Sequence, residues 1–325
     1  MRRVDSWATR VAAAGFTRKT ARVNAVDFNY VEGPDDGPAL LLLHAQHVDL
    51  HTYARVLPAL AHRFHVFAVD YPGHGRTVVP ADYPMAANRI GADLAAFIES
   101  WIGEPAFVAG NSSGGLLTVW LAAHRPDLVR AIVLEDPPLF SSEFPRISTT
   151  IADRSFATCS DAVRDGIGAR DDVLLYWIRC NRAFFTENIA PGAALLLTQV
   201  VKTYRLWHPG IPVDIAFLRD DAVRLFLRGM DQYDPRFGAA FHDGSWNAGF
   251  DHATALAQIT CRAMLVQANF ALLSDGTLNG AMTQEDAVKA AALLTEGSYR
   301  KVDAGHVVHL SAPDFYVDLL NEFFH

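Results

Sequence analysis

The run Gly110-Asn111-Ser112-Ser113-Gly114-Gly115 constrains this chain more than any other. It follows directly on the apolar stretch Ala106–Gly110 and leads into the helix-period stretch Gly115–His124, so the chain passes from a buried strand to a helix within a few residues. A turn that tight holds its central residue in a strained backbone conformation, and only small residues two places before and after can pack so closely. It lifts the Ser112 hydroxyl clear of the sheet, while the start of the helix directs amide donors toward negative charge forming beside it. The G-x-S-x-G spacing therefore marks Ser112 as a nucleophile. The G-x-G-x-x-G and GK[ST] spacings of a phosphate cradle are absent.

Around this turn, short apolar runs alternate with helix-period segments, the pattern of a largely parallel sheet covered by helices. The runs predict strands at Val23–Tyr30, Ala39–Leu43, His65–Asp70, Ala106–Gly110, Ala131–Asp136, Ala263–Ala268 and Ser298–Asp303. Helices are predicted at Tyr53–His62, Ala86–Trp101, Gly115–His124, Glu285–Leu294 and Asp314–Phe324. Leu40–Leu43 and Ile132–Leu134 are continuously apolar, as expected of central strands buried on both faces. The fold class is α/β.

One stretch breaks the alternation. Residues 139–250 offer no central strand, carry 16 aromatic residues, and read as helical at Asp172–Phe185, Gly192–Leu206 and Asp214–Met230. The chain thus divides into a core of residues 1–138 and 251–325 and a helical cap of residues 139–250. The cap is either a well-packed subdomain or a lid with an apolar underside, or both. Trp177, Trp207 and Trp246 are the candidates for that underside, with structural packing the alternative for each.

A serine hydroxyl needs a base. Val302-Asp303-Ala304-Gly305-His306 follows the last predicted strand, and His306, in a loop after glycine, is the candidate; His309 reads as a neighbour. An acid must orient the imidazole. Asp136 ends the strand after the nucleophile strand, Asp275 lies in the loop after Ala263–Ala268, and Glu135 precedes Asp136, so three carboxylates compete. Two backbone donors should receive the oxyanion, the N–H of Ser113 and that of Gln46 in the loop after Leu40–Leu43. His44, His47 and His51 in that loop match no metal-binding spacing, and the sequence calls for neither metal nor cofactor.

A net charge of −8 without a basic run argues against nucleic acid and anionic membrane surfaces as partners. Cys159, Cys180 and Cys261 are far apart, which fits a reducing compartment. Arg2 and Arg3 precede no apolar signal segment, and no run reaches the roughly 18 apolar residues of a membrane span. The expectation is a cytoplasmic protein acting on a small molecule, with a homo-oligomer left open.

From about Val23 onward the chain resembles the α/β-hydrolase superfamily. Asp70-Tyr71-Pro72-Gly73-His74-Gly75-Arg76-Thr77 is similar to its D-x-x-G-x-G-x-S turn, with threonine for serine, and the His44 segment is similar to its His-Gly loop, with Ala45 for glycine. A closer resemblance is to the serine lactonases that open the macrocyclic ester of zearalenone. It rests on the elbow Gly110–Gly115, the segment Glu135–Pro138, the stretch Asp303–Pro313 and Tyr233–Phe237 in the cap. The resemblance implies an α/β-hydrolase fold with an inserted lid, a Ser112–His306 pair with Asp136 as its acid, and cleavage of an apolar or aromatic ester or lactone. A carbon–carbon bond hydrolase of dienoic ketones would be favoured if Asp275 were the acid. A non-catalytic ligand-binding homologue is the competing class. A serine at the elbow argues against dehalogenase and epoxide hydrolase chemistry, which needs a carboxylate there.

Overall fold

A computed structural model describes residues 5–168 and 171–324; Arg2 and Arg3, read above as lacking a signal segment, lie outside them. The sheet strands are β1 (Thr17–Val23), β2 (Val26–Glu32), β3 (Ala39–Leu43), β4 (His65–Asp70), β5 (Ala106–Asn111), β6 (Val129–Glu135), β7 (Arg262–Gln267) and β10 (Gly297–Lys301); β8 (Ala271–Leu272) and β9 (Leu278–Asn279) form a separate small hairpin. The main sheet runs β1-β2-β4-β3-β5-β6-β7-β10, antiparallel through β1, β2 and β4 and parallel from β4 onward. This is the α/β-hydrolase fold.

The central strands are apolar throughout because both faces are covered. Leu41, Leu43, Val108 and Ile132 enter one core, Leu40, Leu42, Phe107 and Ala131 the other, and the two cores lie on opposite faces of the sheet. Register then brings the strand ends together. Leu43 lies opposite Gly110, Asn111 opposite Glu135, and Glu135 opposite Val266, so the loops leaving β3, β5, β6 and β7 share one rim. Parallel sheets present their ligand sites at that edge.

Several sequence expectations are corrected. The strand expected at Val23–Tyr30 is interrupted at Asn24, whose φ of 52° begins a tight turn between β1 and β2; asparagine tolerates that region better than most residues. Helix Asp172–Phe185 breaks at Asn181 into Val173–Cys180 and Arg182–Asn188. The helix expected from Asp214 begins only at Asp221, capped by the Asp220 carboxylate. Helices Ile151–Arg164 and Pro235–His242, not foreseen, complete the stretch between β6 and β7 that precedes His252–Gln258. Among the described residues no helix is long and apolar enough to cross a membrane.

Candidate active site

Ser112 stands between β5 and helix Ser113–His124 with φ 55° and ψ −121°. Steric crowding explains its small neighbours. A Cβ on Gly110 would lie 2.3 Å from Gly114 O and Thr118 Oγ1, and one on Gly114 would lie 2.2 Å from Leu43 O. Both glycines are therefore required by close backbone approach. The Ser112 N–H donates to Glu135 O at 2.9 Å. Buried Asn111, a residue sequence reasoning passed over, donates through Nδ2 to Glu135 O and His306 O, both at 3.0 Å. It ties the elbow to the ends of two other segments.

The His306 Nδ1–H donates to Asp136 Oδ2 at 2.7 Å. Asp136 is held from two more sides: Oδ1 accepts the Ala268 N–H at 3.0 Å, and its own N–H donates to Val266 O at 2.8 Å. Its φ of 44° turns it off the end of β6 toward the rim. Pairing at Nδ1 leaves Nε2 as the free base position. Burial disfavours the imidazolium, but the hydrogen bond and charge of Asp136, with the charge of Glu135 behind, outweigh it and hold the His306 pKa above its ordinary 6.5. The other two carboxylates are placed elsewhere. Asp275 is exposed in the turn of the β8–β9 hairpin, where its carboxylate accepts the Thr277 N–H at 2.9 Å. Glu135 is buried and accepts from His309 Nδ1 at 2.8 Å and from His309 N at 2.9 Å, while His309 Nε2 meets Thr52 Oγ1.

In the loop after β3, His47 adopts φ 63° and the Gln46 side chain donates to the Tyr233 hydroxyl at 2.5 Å. The Ser113 N–H opens its helix and has no intrahelical acceptor. The loop histidines go separate ways. His44 Nδ1 donates to Ala45 O at 2.7 Å, His51 pairs with Asp49 at 3.1 Å, and burial drives the His47 pKa down to about 3. Among the described residues no cluster of His, Cys, Asp or Glu could hold a metal. The Asp70 turn supports this loop, since its carboxylate accepts the N–H groups of Leu50 at 2.8 Å and Arg76 at 3.0 Å. A Cβ on Gly75 would sit 2.1 Å from that carboxylate.

Ser112, Ser113, Gln46 and His306 line one cavity of about 550 Å³. Its remaining walls come from Phe156, Phe226, Phe241, Ile147, Ile151 and Val223, with hydroxyls from Ser141, Ser142, Thr150 and Ser155; Asn279 and Ala281 close one side. Among the described residues, no Asp, Glu, Lys or Arg lines it. None of the three tryptophans expected there lines it. Trp246 is fully buried and stacked on Phe241 at 4.3 Å. Trp177 stands one layer back, edge-on to Phe226 at 5.1 Å, and Trp207 is 63% exposed beside a different groove. The signal that could have found the real wall is helical: Ile151, Ala152, Ser155 and Phe156 share one helix face, as do Ala222, Val223 and Phe226.

Residues 38–154 match the alpha/beta hydrolase fold family, a span that contains Gln46, Ser112, Ser113 and Asp136 and ends before His306. The chain is 34% identical over 122 residues to the magnesium-chelatase 30 kDa subunit of Rhodobacter capsulatus, covering 37% of this chain and 41% of that protein. It is 37% identical over 103 residues to the pimeloyl-[acyl-carrier protein] methyl ester esterase of Neisseria meningitidis serogroup B, covering 31% and 37%. The chain thus spans about two fifths of the length of these relatives. Among solved structures, a carboxylesterase of Bacillus subtilis superposes with a TM-score of 0.64 at 18% identity, over 98% of this chain and 95% of that one. That likeness shows the fold.

Proposed function

We propose that this chain, which has the α/β-hydrolase fold and matches that family over residues 38–154, is a serine hydrolase cleaving an uncharged, apolar ester or lactone through an acyl-enzyme. The observation that carries this reading is the 2.7 Å Asp136–His306 bond, with His306 and the elbow serine on the wall of one cavity. Ser112 Oγ attacks the substrate carbonyl carbon while His306 Nε2 takes its proton. The resulting oxyanion is received by the N–H groups of Gln46 and Ser113, each such donor being worth roughly 10²–10³ in kcat. Collapse breaks the carbonyl–oxygen bond, and the leaving alkoxide takes the proton back from His306. Water, deprotonated by the same nitrogen, then attacks the acyl-enzyme and releases the acid. With a lactone, the leaving hydroxyl stays tethered to the acyl group until this second step. Asp136 remains ionised and stabilises the imidazolium.

The cavity's lining argues for the substrate class. An unpaired carboxylate or ammonium desolvated among these residues loses several kcal/mol, whereas a neutral aromatic molecule buries its surface against Phe156, Phe226 and Phe241. A volume of about 550 Å³ suits a drug-sized ligand. The hydroxyls of Ser141, Ser142 and Thr150 offer partners for a phenol. With the resemblance to the zearalenone lactonases, this makes a resorcylic macrolactone the specific candidate. The helices of residues 139–250 then act as the cap over the bound substrate. The free cysteines suit a cytoplasmic setting.

A panel of neutral aryl esters, macrolactones including zearalenone, and dienoic ketones tests the reading. Turnover of neutral esters or lactones, abolished by Ser112→Ala, is the expected result. Turnover of the ketones alone would reassign the reaction, and no turnover of any class would leave a binding protein.

A further inference from the structure

The segment Tyr233–Phe237 stands outside the chemistry described above, yet Tyr233 is fastened to the loop after β3, and Asp234, Arg236 and Phe237 to the loop after β4. Tyr233 accepts the Gln46 Nε2–H at 2.5 Å. The Asp234 N–H donates to Gly73 O at 2.9 Å, and its carboxylate caps the helix starting at Pro235 through the Arg236 N–H at 3.0 Å. The Arg236 guanidinium returns to the Asp234 carboxylate and reaches the carbonyls of Pro80, Ala81 and Tyr83. Phe237 covers Gly73, where a Cβ would lie 3.1 Å from it, and packs against Tyr71 and His74. One turn upstream, helix Asp221–Met230 backs onto the same loop. A Cβ on Gly229 would lie 2.2 Å from His47 O, and Arg228, 1% exposed, pairs with Asp49 at 2.8 Å.

We propose that Tyr233 is a positioning residue for the oxyanion loop: its hydroxyl fixes the Gln46 side chain, and with it the aim of the Gln46 backbone N–H. The inference rests on the serine hydrolase reading. The loop needs such a device. His47, next in sequence, is a non-glycine residue at φ 63°, a conformation that persists only where surrounding contacts over-determine it. Gly229 presses on its carbonyl and the Tyr233 ring meets its imidazole edge-on at 4.7 Å. Gln46 and Asp49, on either side of His47 and Val48, are then pinned by Tyr233 and Arg228. Tyr233 itself is buried and is not among the residues lining the cavity, so it acts through Gln46 rather than on substrate. The stretch between β6 and β7 therefore has two parts with different duties. Helix Ile151–Arg164 faces the cavity, whereas residues 228–237 form the back of the oxyanion loop and cannot lift away without releasing it.

Tyr233→Phe tests this with a neutral aryl ester and with a trifluoromethyl ketone of matching acyl group, which forms a tetrahedral adduct on a serine. Since a displacement on the order of 1 Å costs up to about 10²-fold, kcat is expected to fall about tenfold with KM changed less than about twofold. The ketone should bind about tenfold more weakly, because its adduct uses the same donors. Gln46→Met, which removes the bond from its other end, should reproduce both losses, and the double variant should lose no more than either single one. The second variant also answers the question if Tyr233→Phe fails to fold. Unchanged kcat, or a lower kcat with ketone affinity intact, overturns the positioning role. An active Ser112→Ala would overturn the hydrolase reading instead, so the two failures are distinguishable.

Discussion

Replacing Asp136 by asparagine separates the proposed acid from its competitors, and the structure fixes what the new amide must do. Asp136 Oδ1 faces the Ala268 N–H at 3.0 Å and Oδ2 faces His306 Nδ1 at 2.7 Å. The Ala268 amide can only donate, so an asparagine turns its carbonyl oxygen there and its NH₂ toward His306. Nδ1 must then accept, which moves the ring proton to Nε2, the atom that has to take the proton of Ser112. A wrong tautomer of this kind costs about 10⁴ in kcat, or about 5 kcal/mol of transition-state stabilisation. Asp275→Asn, in an exposed turn where the amide oxygen can still accept the Thr277 N–H, should change kcat by less than about twofold. Steady-state hydrolysis of a nitrophenyl ester gives both numbers. The pH profile adds a second readout. Wild-type kcat/KM should lose activity with a midpoint above pH 6.5, because Asp136 raises the pKa of His306 and the protonated ring is no base. Without that charge, burial prevails and the residual activity should persist to lower pH. An Asp136→Asn enzyme keeping more than about a tenth of its turnover, or an Asp275→Asn enzyme losing as much, would refute the tautomer argument.

Ser112→Ala should abolish turnover while leaving the affinity for a non-hydrolysable substrate analogue, measured by calorimetry, within about threefold. Phe226→Ala, which opens the cavity wall, should raise KM for a bulky lactone more than for a nitrophenyl acetate, whereas Trp207→Ala should alter neither; equal effects on both substrates would mean that the wall does not select. Arg228→Met leaves Asp49 buried without its guanidinium, and breaking such a pair should cost about 3–5 kcal/mol in urea unfolding at pH 7. Burial works to raise the Asp49 pKa, but His51 and Arg228 hold it well below the usual carboxylate range. The pair's contribution is therefore present above the ordinary carboxylate pKa of 3.8 and fades as pH falls below it, so the deficit of the variant should shrink in acid.

The sheet was legible because burial on both faces leaves no polar position in a central strand; Ala39–Leu43 is 0% exposed at every residue, and its apolar run needs no periodicity to be seen. The elbow was legible because sterics admit few residues beside a strained serine. The stretch between β6 and β7 was legible only in part: the helix Ala193–Trp207 was foreseen, but its neighbours hold apolar residues on more than one side. Leu196 and Leu206 are exposed while Trp246 is enclosed by Phe237 and Phe241. Counting aromatics set residues 139–250 apart but gave no direction to any ring. The cavity uses none of the three tryptophans but phenylalanines whose helix faces also carry alanine and serine, small enough to leave room for a ligand.

The proposed acid was the hardest residue to read, because two carboxylate–histidine pairs lie side by side, Asp136 with His306 and Glu135 with His309. Neighbours in sequence on one partner, and three residues apart on the other, they offer the same chemistry to a pattern search. Backbone geometry separates them. Asp136 leaves the strand at φ 44° and reaches the rim, whereas Glu135 is the last residue of β6 and both His309 nitrogens are occupied, by Glu135 and by Thr52. Glu135→Gln should therefore act at a distance. Its amide oxygen can still accept from His309 N and Nδ1, so the loop holding His306 keeps its anchor. The charge of Glu135 nevertheless helps to raise the His306 pKa. Removing it should move the acid limb of kcat/KM to lower pH while the plateau stays within about threefold of wild type. A plateau that drops as far as that of Asp136→Asn would make Glu135 part of the catalytic apparatus, and an acid limb that does not move would mean that the charge of Glu135 does not reach His306.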